Sequence, residues 1–272
     1  DIIQIITQEL NVEKWQVEAA VSLIDEGNTI PFISRYRKEA TGALNDEQLR
    51  TLHERLTYLR NLEEKKNQVL GSIEEQGKLT AELKKQILDA QTLVVVEDLY
   101  RPFRPKRRTR AIIAKEKGLE PLANIIMLQM TDKPIEEEAQ DFVSEEKGVE
   151  TVADAINGAK DIIAEHISDE ADYRIYLRKL TMDKGSVASA AKKPEEASVY
   201  EMYYEFEEPI KKLAGHRVLA LNRGEKEKIL TVKVNAPEEE AMGWLQKQVI
   251  TKENPITKPI LREVVEDSYK RL

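Results

Sequence analysis

Basic side chains are concentrated in one short segment, residues 94–118, of a chain whose formal net charge is -8. Guanidinium groups pair bidentately with phosphate oxygens, and Tyr100 or Phe103 could stack on a base. The segment therefore predicts contacts with nucleic-acid phosphates that weaken steeply as salt is added. In the alternative interpretation, its arginines pair with carboxylates of the protein itself, such as those at residues 136–138. The candidate phosphate-binding residues are Arg101, Arg104, Lys106, Arg107, Arg108 and Arg110.

Two prolines determine the conformation expected for these basic residues. Pro102 and Pro105 lack a backbone donor and push the residues before them towards extended conformations. The segment is therefore predicted to be neither helix interior nor central strand. Apolar residues on both sides should attach its ends to packed elements. A stiff loop held in this way presents charge at a lower entropic cost than a flexible tail.

A second basic group, Arg35, Arg37 and Lys38, follows a short predicted helix that begins near Pro31. In one interpretation it is a further set of phosphate contacts. In the preferred one, Arg35 pairs with carboxylates between helices, while Phe32, Ile33 and Tyr36 fill the core.

Side chains of the types that perform catalysis or bind metals form no recognisable constellation. The chain has no cysteine, which excludes disulfides, thiolate catalysis and thiolate metal sites. His53, His166 and His216 are far apart and show no ligand spacing, so neither a metal nor a cofactor is expected. The carboxylates lie in solvated helical runs that single out no acid and base pair. The sequence predicts a protein that is not an enzyme.

The composition describes the elements that must position the basic residues. Of 272 residues, 41% are hydrophobic, which supports a real core, and the 34% charged and 6% aromatic residues are typical of helices with solvated faces. A mainly α fold is expected. Because the sequence pI is near 5.3, nucleic-acid binding must be local. No apolar run approaches the length of a membrane span and no secretion signal is recognisable, so a cytoplasmic location is expected.

The longest periodic run begins at Asn45 or Asp46 and carries leucines, then Val69 and Ile73, at helical spacing, so the helix could extend to Gln76. Gly77 and Thr80 then predict a helix end and a new cap, followed by a second helix over residues 81–90. Two helices joined by a short glycine-containing turn make a helix-turn-helix geometry possible.

The apolar period changes near the carboxyl end. Residues 216–222 and 228–234 are rich in apolar and β-branched residues, and the Arg223–Glu225 stretch between them is typical of a turn. They predict a β-hairpin over about residues 216–234, docked on helices. The last predicted helix stops without a terminating glycine or proline, so we expect the chain to continue in a longer protein.

Five segments in order resemble the family of bacterial transcription accessory proteins known as Tex. The resemblance covers nearly the whole chain and corresponds to the amino-terminal part of the family. The segments are TIPFISRYRKEATGAL (29–44), EQGKLT (75–80), EDLYRPFRPKRRTRA (97–111), EKGLEPLA (116–123) and HRVLALNRGE (216–225).

The resemblance implies an elongated assembly of helices with a helix-turn-helix-like module. On this basis residues 1–200 form a Tex-like helical region, with a compact module at about 45–130. Residues 201–272 form the hairpin and helices that lead to a ribonuclease-H-like domain outside this chain, and an S1 RNA-binding domain of the OB type lies further on. The implied function is that of the non-catalytic amino-terminal part of a transcription accessory factor that binds RNA or DNA with low sequence specificity. Alternatively, the chain is a scaffold that contacts RNA polymerase or other transcription proteins, and nucleic-acid binding resides in the later domains.

Overall fold

The structure, a computed structural model, describes all residues 1–272 and divides the chain into two compact units, Asp1–Tyr100 and Arg101–Leu272. The expected mainly α fold with a small antiparallel β element is confirmed. The domain bounds that the resemblance implies stay a prediction. No helix combines the length and the apolar character needed to cross a bilayer.

The first unit is entirely helical. Its helices are α1 (Ile2–Leu10), α2 (Lys14–Asp25), α3 (Ile30–Tyr36), α4 (Lys38–Thr41), α5 (Asp46–Glu75), α6 (Ala81–Asp89) and α7 (Leu93–Tyr100).

Helix α5 is the element on which the first unit is assembled. The Asn45 side chain accepts a hydrogen bond from the Gln48 amide at 2.7 Å, and the Gln48 side chain accepts one from the Asn45 amide at 3.0 Å. This reciprocal cap satisfies donors that the first turn leaves unpaired. Its apolar face contacts α1, α2, α3, α6 and α7, which confirms the long predicted helix. The buried residues of that face are Leu49, Leu52, Leu56, Leu59, Leu62, Val69 and Ile73.

The turn between α5 and α6 also follows its prediction. Gly77 has φ of +68°, and the Thr80 side chain caps α6 by accepting from the Leu83 amide at 3.1 Å. A left-handed glycine ends a helix without the Cβ penalty of other residues. A helix-turn-helix role for this pair stays a prediction.

The second unit combines helices with a three-stranded sheet. Its helices are α8 (Arg110–Glu116), α9 (Glu120–Leu128), α10 (Ile135–Gln140), α11 (Val152–Asp169), α12 (Ala171–Lys184), α13 (Gly215–Lys226), α14 (Glu238–Val249) and α15 (Thr257–Arg271). Its strands are β1 (Ser186–Ala191), β2 (Glu205–Pro209) and β3 (Leu230–Asn235). Single 3-10 turns occupy Arg101–Phe103, Glu201–Tyr203 and Ile210–Lys212.

Helix α11 lies at the centre of the second unit and contacts α8, α9, α10, α12 and α15. Gly158 allows α11 to pack closely against Leu119 and Ala114. A Cβ on this glycine would lie 2.2 Å from Leu119 Cδ1 and 3.3 Å from Ala114 Cβ. The core on this helix includes Ala155, Ala159, Ile162, Ile163 and Ile167, packed with Leu122 and Ile126 of α9 and Leu261, Val264 and Val265 of α15. This packing holds α11 in place, and α11 also carries Glu165 and Asp169.

Gln129 connects the end of α9 to the segment between α14 and α15. It is only 5% exposed and has a left-handed backbone, with φ of 55°. Its Nε2 donates to the Val249 carbonyl at 2.9 Å, while its Oε1 accepts from the amides of Thr251 at 3.1 Å and Lys252 at 3.3 Å. A buried side-chain amide satisfied in this way replaces main-chain pairing where neither segment is regular.

Of the two strands predicted for the β-hairpin, only the second is present in the structure. Residues 230–235 do form a strand, but residues 216–222 lie in helix α13, and β3 pairs antiparallel with β1 in a sheet of order β2-β1-β3. A short apolar run does not distinguish strand from buried helix. Gly224 is not a turn residue: it is buried where α13 meets β3, and a Cβ there would lie 2.5 Å from Leu230 Cδ1.

Gly185 joins α12 to β1 at a point with no free space. A Cβ on this residue would lie 2.4 Å from the Thr181 carbonyl oxygen and 3.0 Å from that of Asn235. Its φ of -81° is open to any residue, so glycine is required here by space and not by conformation.

Candidate nucleic-acid interface

The basic loop, residues 101–110, has the irregular path that its prolines predict. It begins with the 3-10 turn Arg101–Phe103, continues without regular structure, and ends where Arg110 starts α8. Thr109 caps that helix by accepting from the Ile112 amide at 3.2 Å. The loop is therefore held at its carboxyl end by a helix that packs on α11.

Two carboxylates one turn apart on α11, Glu165 and Asp169, hold the middle of the loop. Lys106 Nζ donates to Glu165 Oε1 at 2.8 Å and also pairs with Asp169. Arg101 Nε donates to Asp169 Oδ1 at 3.1 Å, and Thr109 Oγ1 donates to Glu165 Oε2 at 2.7 Å. Lys106 and Arg101 thus form ion pairs within the protein, which makes their charges less available to an external ligand. The expectation of internal pairing holds for these two, with carboxylates of α11 as partners instead of those at residues 136–138.

The charges at this contact are mutually stabilised. Burial by itself raises the pKa of Glu165, but the hydrogen bonds from Lys106 and Thr109 and the nearby charges of Lys106 and Lys115 outweigh it, so that the pKa lies below its ordinary value. The side chains of Lys106, Glu165 and Asp169 are 23%, 18% and 11% exposed. Ionised carboxylates this far from solvent depend on their partners.

The remaining basic residues of the loop lie at the surface. Arg104, Arg107, Arg108 and Arg110 are all exposed. Arg108 donates to Glu116 at 2.6 Å, but both side chains are more than half exposed, and such pairs contribute little. Arg107 and Arg110 form no ion pair. They are the residues of the loop whose charge is most available to a ligand.

A cavity of about 460 Å³ lies beside the loop. Sequence analysis missed one of its arginines, Arg271 at the end of α15, because it lies 161 positions after Arg110 and no motif marks it. Arg271 also pairs with Asp267 at 2.7 Å. The cavity brings together six cationic side chains: Arg101, Arg104, Lys106, Arg107, Arg110 and Arg271.

The second basic group lies in the first unit, at the junction of α3 and α4. Arg35, Arg37 and Lys38 are all exposed, and Arg37 lies over the Phe32 ring at 5.1 Å. Arg35 makes no ion pair and Tyr36 is 61% exposed, so the interpretation of this group as an internal brace with a buried tyrosine is wrong. Phosphate binding by this group stays a prediction.

The three histidines lie on three different helices. His53, His166 and His216 are exposed on α5, α11 and α13. No three His, Cys, Asp or Glu side chains are grouped so that they could hold a metal ion.

Comparisons with known proteins identify two regions of the sequence. Residues 1–74 match the Tex-like protein N-terminal domain, and residues 130–269 match the Tex central region-like family. The basic loop lies between the two matched regions.

Relatives match the chain across this gap. YdcI of Bacillus subtilis is 48% identical over 272 residues, which are 99% of this chain and 38% of that protein. The transcriptional accessory protein Tex of Neisseria gonorrhoeae is 42% identical over 85% of this chain and 30% of its own length. The human S1 RNA-binding domain-containing protein 1 is 31% identical over the whole of this chain and 28% of its own length. The chain thus spans about a third of the length of these relatives.

Proposed function

Because this chain belongs to the Tex family, we propose that it is the non-catalytic amino-terminal part of a transcription accessory factor and binds RNA or DNA with low sequence specificity. The contacts would be made by the basic loop, with Arg35, Arg37 and Lys38 as a separate contact in the first unit. The factor would act in the cytoplasm, where bacterial transcription takes place. RNA polymerase or other transcription proteins would be its protein partners. The name of the human relative, which refers to RNA binding, supports the same class of ligand.

The proposal rests on a difference between two pairs of basic residues in the loop. Lys106 and Arg101 are bound to α11, whereas Arg107 and Arg110 are exposed and form no ion pair. The first pair fixes the path of the loop, so the second pair is presented without the full entropic cost of ordering a flexible segment. Phosphate contacts of this kind supply affinity but carry no base information, which accounts for the low specificity.

The proposal predicts that Arg107→Gln with Arg110→Gln weakens binding to single-stranded RNA and to duplex DNA alike. Each lost phosphate contact should reduce the slope of log K against log salt by about 0.7 to 1, and the affinity at low salt should fall by about tenfold or more. Fluorescence anisotropy of labelled oligonucleotides at low and moderate salt measures both quantities. Lys106 is left in place, because its removal would disturb the loop itself.

A matched control is available in the same unit. Lys133 and Lys247 are exposed and form no ion pair, so Lys133→Gln with Lys247→Gln removes the same charge elsewhere. It should leave the affinity within about twofold of the parent chain. Equal loss in both variants would attribute binding to net charge and not to the loop. Absence of binding by the parent at low salt would overturn the proposal.

A scaffold function is favoured by a different observation. A groove of about 880 Å³ runs between α12, the sheet, α14 and α15. Apolar side chains such as Leu177, Met182 and Met242 line it together with charged ones such as Arg178 and Glu266. A groove with apolar and charged side chains is suited to an amphipathic helix of a partner protein, which lays its apolar face into such a groove. Retention of RNA polymerase subunits by a chain that ignores oligonucleotides would favour this function over the first.

A further inference from the structure

The cavity beside the loop has an excess of positive charge that its own carboxylates do not balance. Six cationic side chains line it, against the two carboxylates Glu165 and Asp169. Both carboxylates are already committed, since they accept from Lys106, Arg101 and Thr109. Arg271 shares its charge with Asp267. Arg107 and Arg110 form no ion pair, so the cavity keeps a net positive charge that lies mainly on these two arginines.

These arginines approach the cavity from separate parts of the chain. Arg107 belongs to the loop, Arg110 to the start of α8, and Arg271 to the end of α15. The packing of α8 and α15 on α11 fixes two of the three directions. Guanidinium groups from different directions suit a ligand with several equivalent anionic oxygens, because each group can take its own bidentate pair.

The group that fits this arrangement is a phosphate monoester. It carries about -1.5 to -2 charges at pH 7 and three terminal oxygens, whereas an internal phosphodiester carries one charge and two such oxygens. A volume of about 460 Å³ also lies within the range of small-molecule sites, so a phosphate and part of its nucleoside can enter together.

We infer that this cavity binds a phosphate monoester, supplied by the terminal phosphate of a nucleic-acid strand or by a free nucleotide. The inference rests on the proposed function. Arg107 and Arg110 would contact phosphate in either case, and Arg271 would add a contact that favours a terminal phosphate over an internal one. Arg271 is the residue that belongs to the cavity and not to the loop.

The experiment compares one ten-nucleotide RNA in three forms: with hydroxyl groups at both ends, with a 5′-phosphate, and with a 3′-phosphate. Anisotropy is measured with the 272-residue chain at fixed low salt. One of the two phosphorylated RNAs, either the 5′-phosphate or the 3′-phosphate form, should bind about fivefold to tenfold more tightly than the RNA with hydroxyl groups at both ends. The reason is that the terminal phosphate adds a charge-assisted contact. Equal affinity of all three RNAs would overturn the inference while leaving salt-sensitive binding, and so the proposed function, intact.

Arg271→Gln provides the second arm, and Lys270→Gln is its matched control. Both residues are exposed near the end of α15, but Lys270 does not line the cavity. Arg271→Gln should abolish the preference for the phosphorylated end while changing the affinity for the hydroxyl-ended RNA by less than about twofold. Lys270→Gln should keep the preference. Equal weakening of all three RNAs by Arg271→Gln would contradict a dedicated end site.

Adenosine monophosphate, titrated by calorimetry, separates the two sources of the ligand. Binding of this nucleotide that disappears in Arg271→Gln, together with no RNA binding, would overturn the proposed function and retain the site as one for free nucleotides. Absence of binding by both the nucleotide and the RNAs would overturn the function and the inference together.

Discussion

Replacing Lys106 with methionine should lower the free energy of unfolding of the second unit by about 2–3 kcal/mol at pH 7. The substitution retains most of the aliphatic volume but removes the cation that Glu165 and Asp169, one turn apart on α11, share. Removing one member of a fully buried pair costs more than this, and the partial exposure of these three side chains reduces the cost. Urea unfolding monitored by circular dichroism measures the change.

The loss of stability caused by Lys106→Met should become smaller as the pH falls. In the parent chain the pKa of Glu165 lies below its ordinary value, so its ionised form contributes stability that is present above that ordinary value and lost as the pH falls through the lowered one. Without Lys106, burial favours the protonated acid. The difference between parent and variant should therefore shrink as the pH is lowered towards 4.

Lys133→Met serves as the control for Lys106→Met, because Lys133 is exposed and forms no ion pair. Its expected change is within about 0.5 kcal/mol. Adding Glu165→Gln to Lys106→Met should recover part of the loss, since the uncompensated charge is removed. A deficit that grows on acidification would contradict the proposed role of Lys106.

Replacing Gly185 with alanine should destabilise the second unit by about 3 kcal/mol. The new methyl group would meet the Thr181 and Asn235 carbonyl oxygens at 2.4 and 3.0 Å, and both are main-chain atoms that no side-chain rotation can move. The last turn of α12 and the start of β1 would have to separate. Thermal and urea unfolding of the variant measure the cost.

Gly243 is the matched control for this substitution. It lies inside α14, and a Cβ there meets nothing within 4 Å. Because alanine has the higher helix propensity, Gly243→Ala should stabilise the protein by about 0.5–1 kcal/mol. The two glycine-to-alanine substitutions are thus expected to change the free energy of unfolding in opposite directions. If Gly185→Ala were as harmless as its control, the close contact would not constrain the fold.

Local sequence signals were sufficient for elements whose stability is local. The leucine spacing and the cap at Asn45 predict α5 correctly, because a long amphipathic helix carries its own period. Pro102 and Pro105 likewise predict the irregular loop, since each fixes its own backbone. Thr80 and Gly77 mark a helix boundary for the same reason.

Signals failed where distant contacts decide the structure. Strand β1 has the sequence SVASAA, with little hydrophobic alternation, and it forms because β2 and β3 pair with it on both sides. Residues 216–222 resemble a strand in composition, but Leu221 and Gly224 pack as a helix against Leu230 and Tyr200. Periodicity in a short apolar run does not contain that information.

The candidate site also has a part that the sequence predicts and a part that depends on distant contacts. The loop residues could be named from their types alone, but which of them are available to a ligand depends on Glu165 and Asp169, about 60 residues away in the sequence. These two acids are four positions apart, which is the spacing that places two side chains on one face of a helix. Nothing in the sequence links Arg271 to the loop.

The Gln129 amide has a consequence for amide hydrogen exchange. Residues 250–256, between α14 and α15, have no regular secondary structure, and amides in such segments ordinarily exchange with solvent quickly. The amides of Thr251 and Lys252 instead donate to a side-chain oxygen of a residue that is 5% exposed. We expect their exchange to require separation of Gln129 from this segment, so two loop amides should report a contact with a residue more than 120 positions earlier in the chain.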